Sequence, residues 1–249
     1  MRLLVVNPNI SESVSRLIAE EARRAASPGT EITMVTAPYG VAYIETRFEA
    51  QIAAQAVAEL VAERRHAHDA VVVAAFGDPG VPGLKEALDI PVVGMTEAAL
   101  VSACLLGQRF SIVAISRRIT AWYRECVAYN GLLGRLASIR SLRQPLASIG
   151  SVQADHARQL RELCLMAAEE DGADVVIVAG APLAGLARAL KGELPVPVVD
   201  GVSSAVCHAE TLVRLDPGAA RAGSFAPPPR KPHAGLSPTL AALLERGHG

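Results

Sequence analysis

Closely spaced cysteines, long apolar runs and an excess of charge of one sign are all missing from this chain, and each absence excludes a class of protein. The four cysteines form no CxxC pair and no Cys/His ligand spacing. Disulfide frameworks and structural metal sites need such spacing, so we expect no metal site. Apolar runs such as Ala70 to Phe76 have the length of a strand and are too short to cross a membrane as a helix.

Charge is balanced, with 24 Lys and Arg against 25 Asp and Glu and a formal net charge of -1. Proteins that bind nucleic acid or anionic lipid carry a basic patch, which this chain lacks. We therefore expect a small-molecule substrate and neither a nucleic-acid nor a membrane partner. The first apolar segment turns polar at Asn7, so the sequence predicts no signal peptide and a cytoplasmic location.

The motifs of common cofactor and hydrolase sites are missing as well. The chain has no GxGxxG after a strand, no GxxxxGK followed by Ser or Thr, no HExxH and no GxSxG. Those patterns mark dinucleotide, nucleoside-triphosphate, zinc-protease and hydrolase sites. The sequence therefore predicts a site that works without a cofactor.

What the chain does contain is a regular alternation of short apolar runs and helical patterns, which is typical of βαβ units in a parallel sheet. The runs are continuous in Val, Ile, Leu and Ala, so we expect strands covered on both faces. The predicted fold class is α/β. The predicted strands are 3–6, 32–35, 70–75, 92–93, 110–115, 137–142, 175–178 and 198–199, and the predicted helices are 13–26, 49–66, 96–106, 121–130, 151–170 and 203–214.

The two halves of the chain repeat each other. Pro91-Val92-Val93-Gly94 is echoed by Pro197-Val198-Val199-Asp200, and Arg2 to Val6 is echoed by Arg109 to Val113. So long a period indicates a duplicated α/β domain, and we expect two pseudo-symmetric, doubly wound lobes. Each lobe should hold a mainly parallel four-stranded sheet, with a cleft between the lobes. The predicted segments are a first lobe at 1–107, a second lobe at 108–214 and a proline-rich tail at 215–249.

The tail is predicted to leave the core and then to form a short helix. Pro227-Pro228-Pro229 imposes an extended linker. Ser237-Pro238 supplies an N-cap and a first-turn proline, and Leu240, Leu243 and Leu244 form one apolar face. We expect this helix to pack on the protein's own core or on a neighbouring subunit.

Loops at the carboxyl ends of the strands hold the candidate binding site, because ligands of open parallel sheets bind there. Glycine lets the backbone approach a ligand, and successive amides can hold a carboxylate or a ring carbonyl. An ordinary tight turn or a helix cap is the alternative role for these residues. The candidate substrate-binding residues are Asn9, Tyr43, Ala75, Phe76, Gly77, Thr96, Ser116, Gly180, Ala181 and Pro182.

Two carboxylates in these loops, or an ordered water, are the candidate catalytic bases. A buried carboxylate with a raised pKa can remove an acidic proton from carbon. Asp78 follows Phe76-Gly77, although Asp-Pro-Gly is also strong turn chemistry by itself. Glu45 lies in a polar loop with Tyr39 and Tyr43, which we expect to form a wall or lid of the cleft.

Several segments in combination resemble the hydantoin/allantoin racemase branch of the aspartate/glutamate racemase superfamily. The resemblance spans roughly residues 1 to 214 and implies a two-lobed α/β fold, a cofactor-free active site between the lobes and a homo-oligomer. The segments that carry it are Val6 to Asn9, Ala75 to Gly80, Pro91 to Gly94, Glu97-Ala98-Ala99, Arg109 to Val113 and Pro197 to Val202.

In that family one cysteine precedes Phe-Gly-Asp-Pro-Gly and a second follows the glycine of the other loop. The resemblance places Ala75 and Ala181 at those positions. A methyl group cannot transfer a proton, so racemisation between two thiols cannot operate in this chain. Pro182 and Leu183 also depart from the family's Gly-Cys-Ala-Gly pattern, which favours natural divergence over an engineered pair of cysteine-to-alanine substitutions.

The leading interpretation is a cofactor-independent racemase, or a related lyase, that acts on a small carboxylate or hydantoin-type substrate by non-thiol chemistry. The alternative is a small-molecule-binding protein that keeps the racemase cleft and has lost catalysis. A structural or assembly protein that uses its proline-rich tail is less favoured, because the strand-end loops around Asn9 and Gly77 would then have no purpose.

Overall fold

A computed structural model of the protein describes residues 1–143 and 148–245, which form two four-stranded parallel sheets. The strand order is β2-β1-β3-β4 in the first sheet and β6-β5-β7-β8 in the second. The predicted pair of pseudo-symmetric α/β sheets is therefore confirmed. The strands are β1 (Arg2–Asn7), β2 (Glu31–Thr36), β3 (Ala70–Val73), β4 (Val92–Gly94), β5 (Phe110–Ala114), β6 (Leu136–Ser141), β7 (Val175–Val178) and β8 (Val198–Asp200).

Helices connect the strands and cover both faces of each sheet, as expected for βαβ units. Their bounds are α1 (Glu12–Ala25), α2 (Arg47–Arg64), α3 (Val81–Ala87), α4 (Met95–Leu106), α5 (Thr120–Tyr129), α6 (Val152–Asp155), α7 (Ala157–Glu169), α8 (Leu186–Ala189), α9 (Gly201–Leu215) and α10 (Pro238–Glu245). Short 3-10 helices lie at Arg65–Ala67, Leu133–Arg135 and Ala181–Leu183.

Two features of the helices differ from the prediction. The single helix predicted over 151–170 is divided at His156, whose backbone angles (φ -125, ψ 20) are not helical. The short helices α3 and α8 were not predicted, and both begin directly after a glycine with φ +82, Gly80 and Gly185. A residue at that φ is rarely anything but glycine, so the two halves use the same left-handed turn at the same place.

The two sheets share one apolar core. Leu3 and Val5 of β1 point into a central cluster that also contains Ile112 of β5, while Leu4 and Val6 point outward. Helices α4 and α9 pack against each other and against strands of both sheets. Because these two helices contact both sheets, the packing does not separate the lobes at one point of the chain. The lobe boundary at 107/108 therefore stays a prediction.

The C-terminal helix lies on the first lobe. Helix α10 packs against α2, and Leu243, which is 5% exposed, belongs to the outer apolar cluster of the first sheet. The backbone N–H of Leu240 lies 3.3 Å from the Ser237 hydroxyl, which caps the helix as predicted. The tail therefore packs on the protein's own core, one of the two expected surfaces. Over the described residues, every helix is too short or too polar to cross a membrane.

Candidate functional site

The loop after β3 is fixed to the start of α4 by three hydrogen bonds. The N–H of Gly77 donates to the hydroxyl of Thr96 (2.6 Å). The carboxylate of Asp78 accepts from the N–H of Thr96 (2.7 Å) and from the N–H of Glu97 (2.9 Å). Asp78 thus satisfies two of the N–H groups that a helix start leaves free. The loop and the helix N-terminus form one rigid unit.

Asp78 has opposing influences on its protonation. Burial raises the pKa of Asp78 to about 7, against the two N–H donors, which favour the ionised form. Its backbone is left-handed (φ +48), which aspartate tolerates better than most residues. Because each of its oxygens already accepts a backbone hydrogen bond, Asp78 acts here as a helix cap. Its proposed role as a catalytic base stays a prediction.

The loop after β7 is held in place by helix α6 of the second lobe. The side-chain amide of Gln153 in α6 donates to the carbonyl oxygens of Pro182 (2.9 Å) and Ala184 (3.0 Å). Gly180, Ala181 and Pro182 are all buried. Sequence reasoning missed Gln153, which lies about 30 residues before the loop and belongs to no motif.

Sheet register shifts the predicted pairing of the two loops by one residue. The N–H of Ala74 donates to the carbonyl oxygen of Val6 in β1 (2.8 Å), and the N–H of Ala179 donates to the carbonyl oxygen of Val113 in β5 (2.9 Å). The two bonds lie at matching positions of the two sheets. Counting on from these positions, the counterpart of Ala75 is Gly180, and Ala181 follows it. None of these three residues carries a thiol.

Helix α5 of the second lobe places an aromatic ring between the two loops. The rings of Tyr123 and Phe76 have centroids 4.5 Å apart. On the other side, a Cβ built on Gly180 would lie 3.8 Å from the Tyr123 hydroxyl oxygen. The neighbouring Trp122 packs so closely on Gly77 that a Cβ there would lie 2.3 Å from the indole. Sequence reasoning missed both residues, because only tertiary packing brings α5 to these loops.

Tyr43 and Glu45 reach the same region from the loop before α2. The hydroxyl of Tyr43 is sealed from solvent and has no hydrogen-bond partner among the described residues. Burial, and then the Glu45 carboxylate, hold the pKa of Tyr43 well above its usual value. Burial raises the pKa of Tyr123 in the same way, with Tyr43 and Glu45 adding to the effect. Both phenols are therefore neutral hydrogen-bond donors beside a carboxylate.

Asn9 and Ser116 hold corresponding turns. The Asn9 side-chain oxygen accepts from the N–H of Ser11 (2.9 Å), and the Ser116 hydroxyl accepts from the N–H of Arg118 (3.2 Å). Each bond spans two residues, after β1 and after β5 respectively. The amide N–H₂ of Asn9 donates to none of the described residues, which leaves it available to a ligand. Ser116 shows no link to Tyr123 or Tyr43.

The structure therefore gathers most of the predicted site residues into two groups, while Asn9 and Ser116 hold turns of their own. Ala75, Phe76, Gly77, Asp78 and Thr96 form one loop cluster. Gly180, Tyr43 and Glu45 meet around Tyr123. Among the described residues, no group of three or more His, Cys, Asp or Glu side chains is arranged to hold a metal ion. The chemistry offered by these side chains is proton transfer between a carboxylate and phenolic donors.

Comparison with known proteins shows which family the chain belongs to. The sequence profile of the Asp/Glu/Hydantoin racemase family matches residues 3–209. The chain belongs to this family. It is 37% identical to a hydantoin racemase of Paenarthrobacter aurescens over 238 residues, which cover 93% of this chain and 99% of the relative. It is 31% identical to a hydantoin racemase of Pseudomonas sp. over 94% of this chain and 95% of the relative.

Solved structures have the same two-lobed fold. An allantoin racemase from Klebsiella pneumoniae superposes with a TM-score of 0.91 at 35% identity, over 96% of this chain and 98% of that one. An arylmalonate decarboxylase superposes with a TM-score of 0.64 at 16% identity, over 86% and 92% of the two chains, and shares the fold alone. The chain is thus a racemase-family member whose two strand-end loops carry alanine and glycine.

Proposed function

We propose that this protein is a cofactor-independent racemase that inverts a hydantoin-type ring, or a similar small carboxylate, by non-thiol chemistry. One observation carries the proposal: the Tyr43 hydroxyl is buried without a partner beside Glu45. A buried polar group without a hydrogen bond costs about 1–3 kcal/mol. A substrate carbonyl oxygen would remove that cost. The hydantoin and allantoin racemases among the relatives support the substrate class.

The proposed reaction begins with Glu45 as the base. Its carboxylate takes the proton from the stereogenic carbon, and the C–H electron pair moves onto the adjacent carbonyl oxygen as an enolate. Tyr43 keeps its proton, because its pKa is raised well above the usual value, and donates a hydrogen bond to that oxygen. A preorganised donor at a developing oxyanion is worth several kcal/mol.

Inversion is completed from the side of the second loop. The Tyr123 hydroxyl, which lies 3.8 Å from where a Cβ on Gly180 would be, gives its proton to the carbon as the enolate electrons return to it. The pKa of Tyr123 is raised as well, but the carbon is the more basic end of the enolate and takes a proton that the oxygen does not. The proton held by Glu45 then passes to the tyrosinate, so that the starting protonation state is restored. No redox partner and no covalent intermediate is needed. Asp78, in contrast, keeps the first loop in place.

The test is proton exchange at the stereogenic carbon. Single enantiomers of 5-methylhydantoin, 5-benzylhydantoin and allantoin are incubated with the protein in deuterated water, and ¹H NMR and optical rotation are followed against a protein-free blank. We expect exchange and loss of rotation with at least one ring. Glu45→Gln should slow exchange about 100-fold or more, because it removes the base. Tyr43→Phe should slow it about 100-fold, the loss of an oxyanion donor.

Tyr39→Phe is the matched control for Tyr43→Phe. Tyr39 lies in the same loop, but its hydroxyl donates to Glu59 (3.0 Å) at the surface, so the variant should exchange at the unaltered rate. No exchange by the unaltered protein with any ring would defeat the proposal. If these rings raised the melting temperature without exchange, the binding-protein alternative would replace it.

We further propose that the protein is cytoplasmic and that it forms a homo-oligomer, the second of which the family resemblance implies. The exposed apolar residues of α4 support the second part, since Leu105 is 78% exposed and Leu106 is 55% exposed. Apolar patches of this kind often mark contacts between subunits.

A further inference from the structure

A cavity of about 350 Å³ lies on the surface of the first loop and is bounded by Gly77 and Asp78 on one side. Helix α5 forms the opposite wall through Trp122 and Cys126. It shares Gly77 and Asp78 with the loop described above, but Tyr43, Glu45 and Tyr123, the groups of the proposed reaction, do not line it. Its volume falls within the range of small-molecule sites, which begins at about 300 Å³.

Aromatic side chains are concentrated in this cavity. Trp122, Tyr129 and Phe225 line it, three of the nine aromatic residues in a chain poor in them. Tyr129 is 71% exposed and Phe225 is 39% exposed, so both rings offer open faces. Phe225 arrives from the C-terminal linker and closes one side. Aromatic walls favour a ligand with a flat ring, because offset or edge-to-face contacts between rings are stabilising.

The charges around the cavity are already paired. Arg47 donates to Glu125 through Nε at 2.8 Å, and Lys85 donates to Glu97 at 2.7 and 2.6 Å. An anion would have to compete with these carboxylates and with Asp78, which also lines the cavity. A neutral ligand does not compete with these carboxylates and loses no charge hydration on binding.

Two polar groups in the wall are free to bind a ligand. Trp122 is only 8% exposed, and its Nε1–H donates to none of the described residues, although it is not sealed from solvent. The Asn130 amide donates its N–H₂ to the carbonyl of Cys126 (2.8 Å), which leaves its oxygen as an acceptor. A free donor in an aromatic-lined cavity can bind the carbonyl oxygen of an amide, and an acceptor in the same lining favours a ligand that also carries N–H groups.

We propose that this cavity binds a neutral, planar aromatic amide, with the ring among Trp122, Tyr129 and Phe225 and the amide carbonyl accepting from Trp122 Nε1. The ligand contacts the indole against which Gly77 packs, beside the loop that carries Ala75. This would be a second binding site, and the proposal does not depend on the racemase reaction proposed above.

The chain offers a direct probe, because Trp122 is its sole tryptophan. Emission excited at 295 nm is titrated with benzamide, with benzoate and with cyclohexanecarboxamide. We expect a saturable change in intensity or wavelength with benzamide. Benzoate, which adds a charge, and cyclohexanecarboxamide, which lacks a flat ring, should each bind about tenfold more weakly or worse.

Variants locate the binding. Phe225→Ala should weaken benzamide binding about 3- to 10-fold, since one ring contact is worth about 0.5–1.5 kcal/mol. Phe225 is half-exposed on a linker, so the fold should tolerate the change. Phe48→Ala is the control, because Phe48 is 71% exposed and lies outside the cavity. Tyr43→Phe should bind benzamide as tightly as the unaltered protein.

Three results would overturn the proposal. The first is a linear, non-saturating response of Trp122 to benzamide. The second is equal affinity for benzamide and benzoate. The third is weakening by Tyr43→Phe with no effect of Phe225→Ala, which would place the amide in the other site.

Discussion

Glu21 is a buried carboxylate that joins three helices. It lies in α1, is 1% exposed, and accepts hydrogen bonds from Arg24, from Arg188 of α8 (3.1 Å) and from Ser203 of α9. Burial opposes its ionisation, but the bonds from Arg24, Ser203 and Arg188 together lower its pKa to about 2, from 4.5. A charge buried this deeply is tolerated only because it is fully paired.

The stability of the protein should therefore depend on pH through Glu21. Because its pKa is lower in the folded state, its contribution is fully present above about pH 4.5 and is lost as the pH falls through about 2. Glu21→Gln should lower the free energy of unfolding by roughly 2–3 kcal/mol at pH 7. The variant should also lose less stability between pH 4.5 and 2 than the unaltered protein. Urea unfolding at a series of pH values measures both.

Glu20→Gln is the control, because Glu20 is the exposed neighbour of Glu21 in the same helix. It should leave the unfolding curves unchanged within about 0.5 kcal/mol. Equal pH dependence of Glu21→Gln and the unaltered protein would mean that Glu21 is not held ionised by its partners.

At the residue scale, the sequence predicts some site residues and misses others for a physical reason. Ala75 and Gly77 follow a recognisable strand, and their hydrogen bonds are local or lead to the start of α4. Tyr123 and Trp122 lie inside a helix of the other half, and nothing in their own neighbourhood marks them. The one-residue shift from Ala181 to Gly180 reflects loops of unequal length, which only the sheet register resolves.

At the scale of elements, the two halves cap corresponding helices in different ways. Asp200, at the N-cap of α9, accepts from the N–H of Ser203 (2.9 Å). The corresponding residue before α4 is Gly94, and the cap comes instead from Asp78 in the loop. A Cβ on Gly94 would lie 2.3 Å from the Asp78 carboxyl carbon. Either position can hold the aspartate, but not both.

Exchanging the two residues tests this relation. Asp78→Gly removes the cap and should cost about 1–2 kcal/mol. Gly94→Asp alone should cost about 2–3 kcal/mol, because it forces a second carboxylate against the first. The double variant places the aspartate as in the second half, so its loss should be smaller than the sum by about 2 kcal/mol. Chemical denaturation of the unaltered protein, the two single variants and the double variant gives the coupling energy. Strictly additive losses would contradict the idea that the two positions are alternative places for one aspartate.

The strands were the most predictable elements. Continuous apolar runs such as Val175–Val178 fit only a strand buried on both faces, and the structure places them within a residue or two of the predicted bounds. Short helices were not predictable. Helix α8 has four residues, too few for a periodic pattern, and its start depends on the left-handed turn at Gly185.

At the scale of the whole molecule, the lobes are joined by packing as well as by the chain. Helices α4 and α9 lie in the central apolar cluster between the sheets. The loops that carry Ala75 and Gly180 each follow an inner strand of their own sheet, and Ala75 and Ala181 belong to this cluster. A shared core of this kind holds the two loops at a fixed distance, as proton transfer across one substrate carbon requires.

The tail adds a second connection, because it begins after α9 and ends on the first lobe. Its docking depends on Leu243, which is 5% exposed against α2 and its neighbours. Truncating a buried leucine costs about 2–5 kcal/mol where the site cannot collapse. For a short helix at the surface, that cost should appear as local release of the helix before the core unfolds.

Leu243→Ala should therefore speed amide hydrogen exchange in α10 by about 30-fold or more, as expected for a loss of about 2 kcal/mol or more in local stability. Exchange in β1 and β5, which lie in the shared core, should stay slow. Leu236→Ala is the control, because Leu236 belongs to the same tail but is 42% exposed, and it should leave α10 as protected as before. Mass spectrometry of peptic peptides measures all three segments. If α10 kept its protection in Leu243→Ala, the leucine would not be what holds the tail on the first lobe.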